Sequence, residues 1–349
     1  METITHIMAD GADAPSSFAE YLDRYADKVG DLINQYIPRG SHPDMNRYLY
    51  DPITRYSQNA GKRLRPLACF AACKAVGGNM DAATSAAAAI EHFHSAALIH
   101  DDIADDAELR RGMPCLHLTE GLGLAINMGD LGLMLVNGTV IWDPLLDDTM
   151  KVRVMSELLD MARSTIEGQA LDIGWARDER YDLSMQDYLD MATCKTAYYS
   201  CATPLAVGAI VGGAPDEQVE QLRAYGLAVG LAFQIQDDLL NLVGTEEAKR
   251  KDFRSDITEG KRTLVVVHAL QHSAKRERLI DILSSKEKDE AVLEEAVAIM
   301  QESGSIDYAR DYALQLTEKA KAQLRAALEP SDTRDLLCSM ADWFVNRLA

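Results

Sequence analysis

The sequence has little of what β-structure, disulfide-bonded folds or nucleic-acid binding require. Among 349 residues there are only 22 Gly and 10 Pro, and no stretch shows the alternating β-branched pattern typical of strands. None of the six cysteines stands in a CxxC pair, so core thiols in a reducing compartment are expected rather than disulfides or a zinc site. The net charge of −20 disfavours nucleic acid and anionic membrane surfaces as partners.

The composition that remains is that of an all-α protein. Ala, Leu, Met and Glu are common, and 47% of the residues are hydrophobic, which is enough for a large core. Residues 1–15 are expected to be disordered and residues 16–349 to form one domain, because no repeat or linker divides them. The N-terminus does not read as a signal peptide, and no apolar stretch reads as a bilayer-spanning segment, so a cytoplasmic location is expected.

The most informative stretch is an apolar run that ends in a burst of acidic residues. It predicts one buried helix from about Asp81 to about Leu109. Asp101 and Asp105 share a helix face by their spacing, and Asp102 lies on the adjacent strip. Carboxylates gathered at a helix C-terminus need cations, and Mg²⁺ is typically held by one or two carboxylates together with substrate phosphates. A solvated acidic tip is the alternative interpretation.

Local groups of cations stand out because the protein is acidic overall. Arg110 and Arg111 follow the acidic helix end directly, and guanidinium groups match phosphate oxygens bidentately. Lys62 and Arg65 belong to GKRLRP, at the start of another predicted helix whose free N–H groups also favour anions. His94, on the buried helix, could hydrogen-bond a phosphate. The pattern predicts diphosphate binding, although a solvated basic turn would also account for GKRLRP alone.

A second acidic site ends the apolar helix that carries FQIQDDLLN. Asp237 and Asp238 stand there, with Gln234 one turn earlier. Further upstream, Lys195 and Thr196 lie at a predicted helix break in apolar surroundings, which indicates a buried anion contact; a snorkelling surface lysine is the alternative. The loop after FQIQDDLLN, KRKDFRSDITEGKRT, supplies three further candidate ligands for phosphate and metal-bound water: Lys251, Asp256 and Lys261.

Together these motifs resemble the trans-isoprenyl diphosphate synthases, also called polyprenyl synthetases, and in particular geranylgeranyl diphosphate synthases. GKRLRP, HSAALIHDDIADDAELRRG, KT and FQIQDD with SDITEGKRT occur in the family's order from about Gly61 to Thr263. The resemblance implies an all-α bundle with a deep central cavity, and a homodimer. It also implies Mg²⁺-dependent condensation of isopentenyl diphosphate with an allylic diphosphate, which can be dimethylallyl, geranyl or farnesyl.

The resemblance implies a role for each motif residue. The metal ligands would be Asp101, Asp102 and Asp105 for two of three Mg²⁺ ions, and Asp237 with Asp238 for the third. Residues acting directly in catalysis would be Asp101, Asp105, Asp237, Lys195 and Lys261. Contacts to the allylic diphosphate or its metals would come from Arg110, Lys195, Thr196, Gln234, Lys251 and Lys261. Isopentenyl diphosphate would be held by Lys62, Arg65, His94 and Arg111.

Two positions depart from the family's pattern. Asn241 stands where many members have Asp, as it does in several branches of the family. Arg250 stands where a Gly often precedes the loop lysine, here Lys251.

Product length is predicted from helix geometry. Ala97 and Ala96 precede Asp101 by one helical turn, roughly 5.4 Å, and are too small to stop a growing chain. Phe93 and His92 lie one turn further and are large enough to form a floor. Geranylgeranyl diphosphate is therefore favoured over farnesyl diphosphate, and a longer polyprenyl product is the alternative.

Two other functional classes are weaker candidates. A class I terpene cyclase would share the acidic sites, but it has no use for GKRLRP and usually needs aromatic residues, which make up only 6% of this chain. A non-catalytic subunit of a heteromeric synthase tends to lose one acidic motif, and this chain keeps both. The sequence therefore predicts a prenyltransferase.

Overall fold

The structure, a computed structural model, describes residues 3–9, 14–59, 61–244, 253–285 and 289–346. Within these ranges the all-α prediction is confirmed. Helices α1 to α9 are Ile4–Ala9, Phe18–Asn34, Pro43–Met45, Asp51–Gln58, Leu64–Ala75, Thr84–Ala104, Leu116–Thr119, Leu122–Ile141 and Asp148–Arg177. Helices α10 to α18 are Met185–Ala192, Thr203–Val211, Asp216–Val243, Ser255–Thr258, Leu264–His272, Arg276–Ser284, Glu290–Glu302, Ser305–Ala327 and Asp332–Val345. The other described elements are π-helical Asn46–Tyr50 and Thr193–Ala202, 3₁₀-helical Met80–Ala83, and the strands β1 Leu109–Arg110 and β2 Met113–Pro114.

The chain divides into two compact units. Unit 1 comprises residues 1–162, 199–223 and 325–340, and unit 2 comprises residues 163–198, 224–324 and 341–349. A single domain from residue 16 onward stays a prediction. The stretch expected to be disordered differs from that expectation at α1, where Ile4 and Ile7 are buried.

Helix α6 forms the core of unit 1. Every residue from 84 to 96 is buried, because the run has no polar face to present to water. Helix α8 approaches it closely through glycine: a Cβ at Gly132 would lie 2.9 Å from the Ala96 Cβ. Helices α5 and α11 meet in the same way, with Gly208 against the Cys69 carbonyl. Glycine in α8 thus serves close helix packing.

The predicted extent of the acidic helix is wrong at its C-terminal end. Helix α6 ends at Ala104, and the next residue caps it. Asp106 then takes a left-handed conformation with φ of 50°, and the Ala107 N–H donates to the Asp102 carbonyl at 2.9 Å. The chain continues into the β1–β2 hairpin instead of the helix. No Gly or Pro lies in this turn before Gly112, so helix propensity alone predicts a helix that ends too late.

The expectation that no helix is long and apolar enough to cross a bilayer is wrong by length and composition. Helix α8, Leu122–Ile141, meets both conditions, and 44% of its most apolar window is buried. Core helices of globular proteins pass the same test. The packing of Gly132 against α6 identifies α8 as a helix that contributes to the core of unit 1.

Unit 2 has its own hydrophobic core, which α10, α12, α14, α15 and α16 share. Tyr188, Ile235, Leu239 and Leu264 are among its buried members. Ser184 and Asp187 form a capping box that starts α10, the helix that carries Tyr188. The predicted helix break at Lys195 falls within the π-helical segment Thr193–Ala202.

Candidate active site

Four arginines surround His94 in unit 1. Burial lowers the pKa of His94 well below its ordinary value, and the charges of Arg65, Arg111, Arg63 and Arg110 lower it further. Burial likewise lowers the pKa of Arg111; the charge of Glu91 opposes this effect, and the charges of Arg63 and Arg65 add to it. His94 is therefore neutral at ordinary pH, and the net charge of this basic cluster comes from its guanidinium groups.

Two of these arginines, Arg65 and Arg111, have no carboxylate partner within the part of the chain that the structure describes. The Arg65 Nη2 donates to the Ser200 Oγ at 2.9 Å, and the Arg111 Nη1 donates to the Asn59 carbonyl at 2.7 Å. Within the described part of the chain, Arg65 Nε and His94 Nδ1 are buried and have no hydrogen-bond partner. Because buried polar groups without partners are costly, the cluster fits a bound anion such as a diphosphate.

The GKRLRP turn supplies the remaining cation predicted for this cluster. Lys62 is exposed, directly before the buried Arg63 and the first turn of α5. A Cβ at Gly61 would lie 3.1 Å from Arg63 Nη1 and 3.2 Å from Arg111 Nη1, so glycine makes room for the two guanidinium groups. The structure thus brings Arg65, Arg111 and His94 together, with Lys62 on the adjoining turn.

The first acidic site contains one inward and two more accessible carboxylates. Asp102 is only 1% exposed and accepts hydrogen bonds from Arg110 Nε at 2.7 Å and the Tyr56 hydroxyl at 3.2 Å. Burial alone would lower the pKa of Arg110, but the ion pair with Asp102 raises it above the ordinary value. Asp101 and Asp105 are partly exposed, and the Asp105 N–H donates to the Asp101 carbonyl. The metal roles of all three aspartates stay predictions.

The second acidic site, in unit 2, shows the same division. Asp238 is 8% exposed and accepts hydrogen bonds from the Tyr188 hydroxyl and from Gln234 Nε2, both at 2.7 Å. Thr196 in turn donates to Gln234 Oε1 at 2.5 Å. Asp237 is only partly buried. The predicted ligands Thr196 and Gln234 are therefore joined to the DD motif by a continuous hydrogen-bond chain.

Further charged groups lie around this second site. Lys195 forms an ion pair with the buried Asp172. Burial raises the pKa of Asp256 to about 7 despite the opposing effect of Lys261. Burial, followed by the charge of Asp256, raises the pKa of Asp238 well above its ordinary value. Carboxyl groups whose negative charge is this disfavoured gain from a cation placed beside them.

The donor chemistry of the acidic sites fits Mg²⁺. Among the described residues, no three His, Cys, Asp or Glu side chains form a complete metal-binding group. That excludes a closed, all-protein site within those ranges, but Mg²⁺ usually keeps several waters and binds through one or two carboxylates plus substrate phosphates. Asp101, Asp105 and Asp237 are partly accessible oxygen donors of the type that Mg²⁺ prefers.

The Asn241 side chain holds the start of α13, which accounts for an amide at this position. Its Nδ2 donates to the Ser255 Oγ at 3.1 Å, and its Oδ1 accepts from the Asp256 N–H at 3.3 Å. A neutral amide makes both contacts without adding charge beside Asp256. Lys251 and Arg250 lie outside the described residues.

The residues predicted to set product length occupy two different environments. Ala96 is completely buried on the side of α6 that meets α8, whereas Ala97 is partly exposed. Phe93 packs edge-on against the Tyr199 ring, with 5.9 Å between centroids. His92 is buried, and burial lowers its pKa to about 4. Their role in product length stays a prediction.

Several residues of these sites were missed by reasoning from sequence. The sequence gives Tyr188 no role beyond a place in a helix, and its position two turns before Lys195 is the available signal. The sequence allows Asp172 either a cavity position or an ordinary polar face, and the structure shows that it is the ion-pair partner of Lys195. The buried partner of Arg63 is Glu91, an acid within an apolar run, and the sequence does not identify the cation with which it pairs, because that cation lies 28 residues away.

An all-α fold with an arginine cluster suited to a diphosphate and two acidic helix ends suited to Mg²⁺ defines a class of enzymes that act on diphosphate esters. Comparison with known proteins identifies the family: the polyprenyl synthetase profile matches residues 46–300. The chain belongs to the polyprenyl synthetases and is a trans-prenyltransferase that elongates prenyl diphosphates.

Individual relatives agree with this assignment. The chain is 41% identical to the short chain isoprenyl diphosphate synthase of Methanothermobacter thermautotrophicus over 82% of its own length and 86% of the relative's. It is 35% identical to the geranylgeranyl diphosphate synthase of Methanosarcina mazei, covering 90% of this chain and 98% of the relative. The crystal structure of geranylgeranyl pyrophosphate synthetase from Pyrococcus horikoshii superimposes with a TM-score of 0.85 at 32% identity, covering 95% of this chain and 98% of that one.

Proposed function

We propose that this enzyme condenses isopentenyl diphosphate with allylic diphosphates and that its main product is geranylgeranyl diphosphate. The observation that carries the substrate assignment is a pair of arginines, the buried Arg65 and the partly buried Arg111, neither of which forms an ion pair with a carboxylate among the described residues. Such a site recognises a diphosphate directly. The separate acidic sites serve the second diphosphate.

Isopentenyl diphosphate is held by Lys62, Arg65, His94 and Arg111 in this proposal. The guanidinium groups supply bidentate hydrogen bonds to phosphate oxygens. His94, neutral because of burial and the surrounding arginines, orients the diphosphate through a hydrogen bond and adds no charge. Fixed cations in a desolvated site hold the substrate's double bond in position to react.

The allylic diphosphate is the leaving group in the proposed reaction. Its cationic contacts are Arg110, Lys195, Lys251 and Lys261, with Thr196 and Gln234 as neutral donors. Asp101, Asp102 and Asp105 would hold two Mg²⁺ ions, and Asp237 with Asp238 a third. Bound Mg²⁺ neutralises charge on the departing diphosphate.

The chain's own residues promote departure of the diphosphate. Cations aimed at its oxygens stabilise the charge that develops as the allylic C–O bond breaks. The double bond of isopentenyl diphosphate then attacks the allylic carbocation, and the released diphosphate accepts the proton that is lost. No side-chain nucleophile is needed.

Product analysis tests the proposal. The enzyme is incubated with Mg²⁺, isopentenyl diphosphate and dimethylallyl, geranyl or farnesyl diphosphate, and the dephosphorylated products are separated by chromatography. A main C20 product is expected with every starter. An enzyme that stops at farnesyl diphosphate would contradict the product assignment, and longer products would establish the polyprenyl alternative.

We also propose a homodimer in the cytoplasm. Helix α9 carries an apolar row at heptad spacing, Val152, Leu159, Ile166 and Ile173, whose members are 67%, 64%, 58% and 44% exposed. Trp142, between α8 and α9, is 81% exposed. A heptad-spaced apolar row is the pattern by which one helix packs on another, and a second copy of the chain would cover it.

A further inference from the structure

Arg63 is the arginine of GKRLRP to which no role has been assigned. It is buried, its Nη1 donates to Glu91 Oε1 at 2.7 Å, and its Nη2 donates to the Ser57 carbonyl. Both partners of the ion pair are at most 5% exposed at the side chain. A Cβ at Gly30 would lie 2.9 Å from Arg63 Nε, so the guanidinium is enclosed on this side as well.

The backbone of Arg63 is as unusual as its side chain. Its φ of 49° and ψ of 35° are left-handed, a conformation that is sterically disfavoured for a residue with a Cβ. Arg63 is also the N-cap of α5, so this single residue determines the direction in which Lys62 and Arg65 leave the turn. A disfavoured conformation persists where surrounding contacts fix it, and here those contacts are Glu91 and Ser57.

A second Gly-Lys-Arg turn, in unit 2, also has a buried arginine that is held by backbone carbonyls. Arg262 is 2% exposed, and its Nε donates to the Arg180 carbonyl at 2.5 Å. Its Nη1 donates to the Gly260 carbonyl, and its guanidinium lies 4.4 Å from the Tyr181 ring centroid. Gly260 has φ of 69°, so this turn also reverses through a left-handed residue. The lysine between them is Lys261.

We propose that Arg63 and Arg262 are positioning residues that lock the two Gly-Lys-Arg turns and so orient their substrate-binding cations, Lys62 with Arg65 and Lys261 respectively. Neither arginine contacts substrate in this account. The inference rests on the proposed assignment of those cations to isopentenyl diphosphate and to the allylic diphosphate. It predicts a substrate-specific defect for each arginine, which a general contribution to folding would not produce.

The test at Arg63 uses a variant that keeps the fold. Replacing both members of a buried ion pair by apolar residues is often neutral for stability, so Arg63→Met/Glu91→Leu is the informative protein. The KM for isopentenyl diphosphate should rise about tenfold, with the KM for the allylic diphosphate and the melting temperature nearly unchanged. Equal effects on the two KM values, or an unchanged KM for isopentenyl diphosphate, would overturn the role of Arg63.

The test at Arg262 predicts the opposite split. Arg262→Met should raise the KM for the allylic diphosphate about tenfold and leave that for isopentenyl diphosphate nearly unchanged. If this variant does not fold, Arg262→Lys retains the charge but loses the planar fork, and the same split is expected in it. A variant that is folded by circular dichroism and shows no split refutes the role of Arg262.

Two controls separate the possible failures. Outside the proposed sites, Arg223 Nη1 and Nη2 donate to the two Glu157 carboxylate oxygens at 2.6 and 2.8 Å. Arg223→Met/Glu157→Leu removes this ion pair and should leave both KM values unchanged. Arg65→Ala tests the assignment itself and should raise the KM for isopentenyl diphosphate more than that for the allylic substrate. If Arg65→Ala does not raise the KM for isopentenyl diphosphate preferentially, the isopentenyl diphosphate site is misplaced. If Arg65→Ala raises this KM and the Arg63 variant does not, only the positioning role of Arg63 is refuted.

Discussion

At the level of single residues, each acidic site pairs a buried aspartate with more accessible ones. Asp102 is held by Arg110 and Tyr56, and Asp238 by Tyr188 and Gln234. These partners occupy the oxygens of the buried carboxylates and fix their orientation. The neighbouring Asp101, Asp105 and Asp237 are the more accessible carboxylates of the two sites.

The accessible aspartates should be needed for turnover but not for folding. Asp101→Ala or Asp237→Ala is expected to lower kcat by about 100-fold or more, the size of losing one electrostatic contact to a transition state. Relief of repulsion among the acids should leave the melting temperature unchanged or higher. Steady-state kinetics with Mg²⁺ and thermal unfolding check both; near-normal turnover in either variant means that the metal assignment is wrong.

The buried aspartate of the second site should instead reveal itself in stability. Tyr188→Phe removes one donor to the buried Asp238 carboxyl, and leaving a buried acceptor without its partner costs about 1–3 kcal/mol. Urea unfolding should show a loss of that size. Tyr312→Phe is the matched control, because no hydrogen bond of its hydroxyl is found within the described ranges. Equal losses in both variants would assign the effect to packing rather than to Asp238.

At the level of elements, the contact between α6 and α8 decides which positions can report on product length. Ala96 faces Gly132 of α8, whereas Ala97 is partly exposed. A phenyl ring at 96 must displace α8, which is overpacking that costs about 1–3 kcal/mol. A phenyl ring at position 97 does not face Gly132 of α8, so it is not subject to this overpacking.

This difference gives a prediction for chain length. Ala97→Phe should shorten the main product, and Phe93→Ala should lengthen it, because the floor is raised or removed. Ala96→Phe should shorten the product as well but with a lower melting temperature. Chromatography of dephosphorylated products from a farnesyl diphosphate starter measures the first effect, and calorimetry the second. Unchanged products in all three variants would exclude α6 as the chain-length determinant.

How far the elements could be predicted depended on the range of the interactions that form them. The apolar run before Asp101 predicted a buried helix, because burial without a polar face is a local property of the sequence. The end of α6 could not be predicted, since it depends on a left-handed Asp106 and a hairpin that returns Arg110 to Asp102. Glu91 was hidden for the same reason: its partner, Arg63, comes from a distant part of the chain.

At the level of the whole molecule, the exposed apolar row on α9 should determine assembly. Leu159→Glu places a charge in the middle of the row and is expected to convert the proposed dimer to a monomer. Sedimentation equilibrium measures the mass. Leu314→Glu is the matched control, because Leu314 is an exposed apolar residue on α17 outside the row. A variant of Leu159 with the mass of the unmodified enzyme would show that the row is not the interface.

The unpaired guanidinium groups of Arg65 and Arg111 also bear on how this enzyme is handled. Guanidinium groups that form no ion pair with a carboxylate bind oxyanions from solution, so sulfate, phosphate or pyrophosphate in a buffer should compete with isopentenyl diphosphate. The apparent affinity for isopentenyl diphosphate will then depend on the salt in the buffer as well as on the enzyme. Assays in chloride and in sulfate at equal ionic strength should differ in the KM for isopentenyl diphosphate, and crystals grown from sulfate should carry an ion in this cluster.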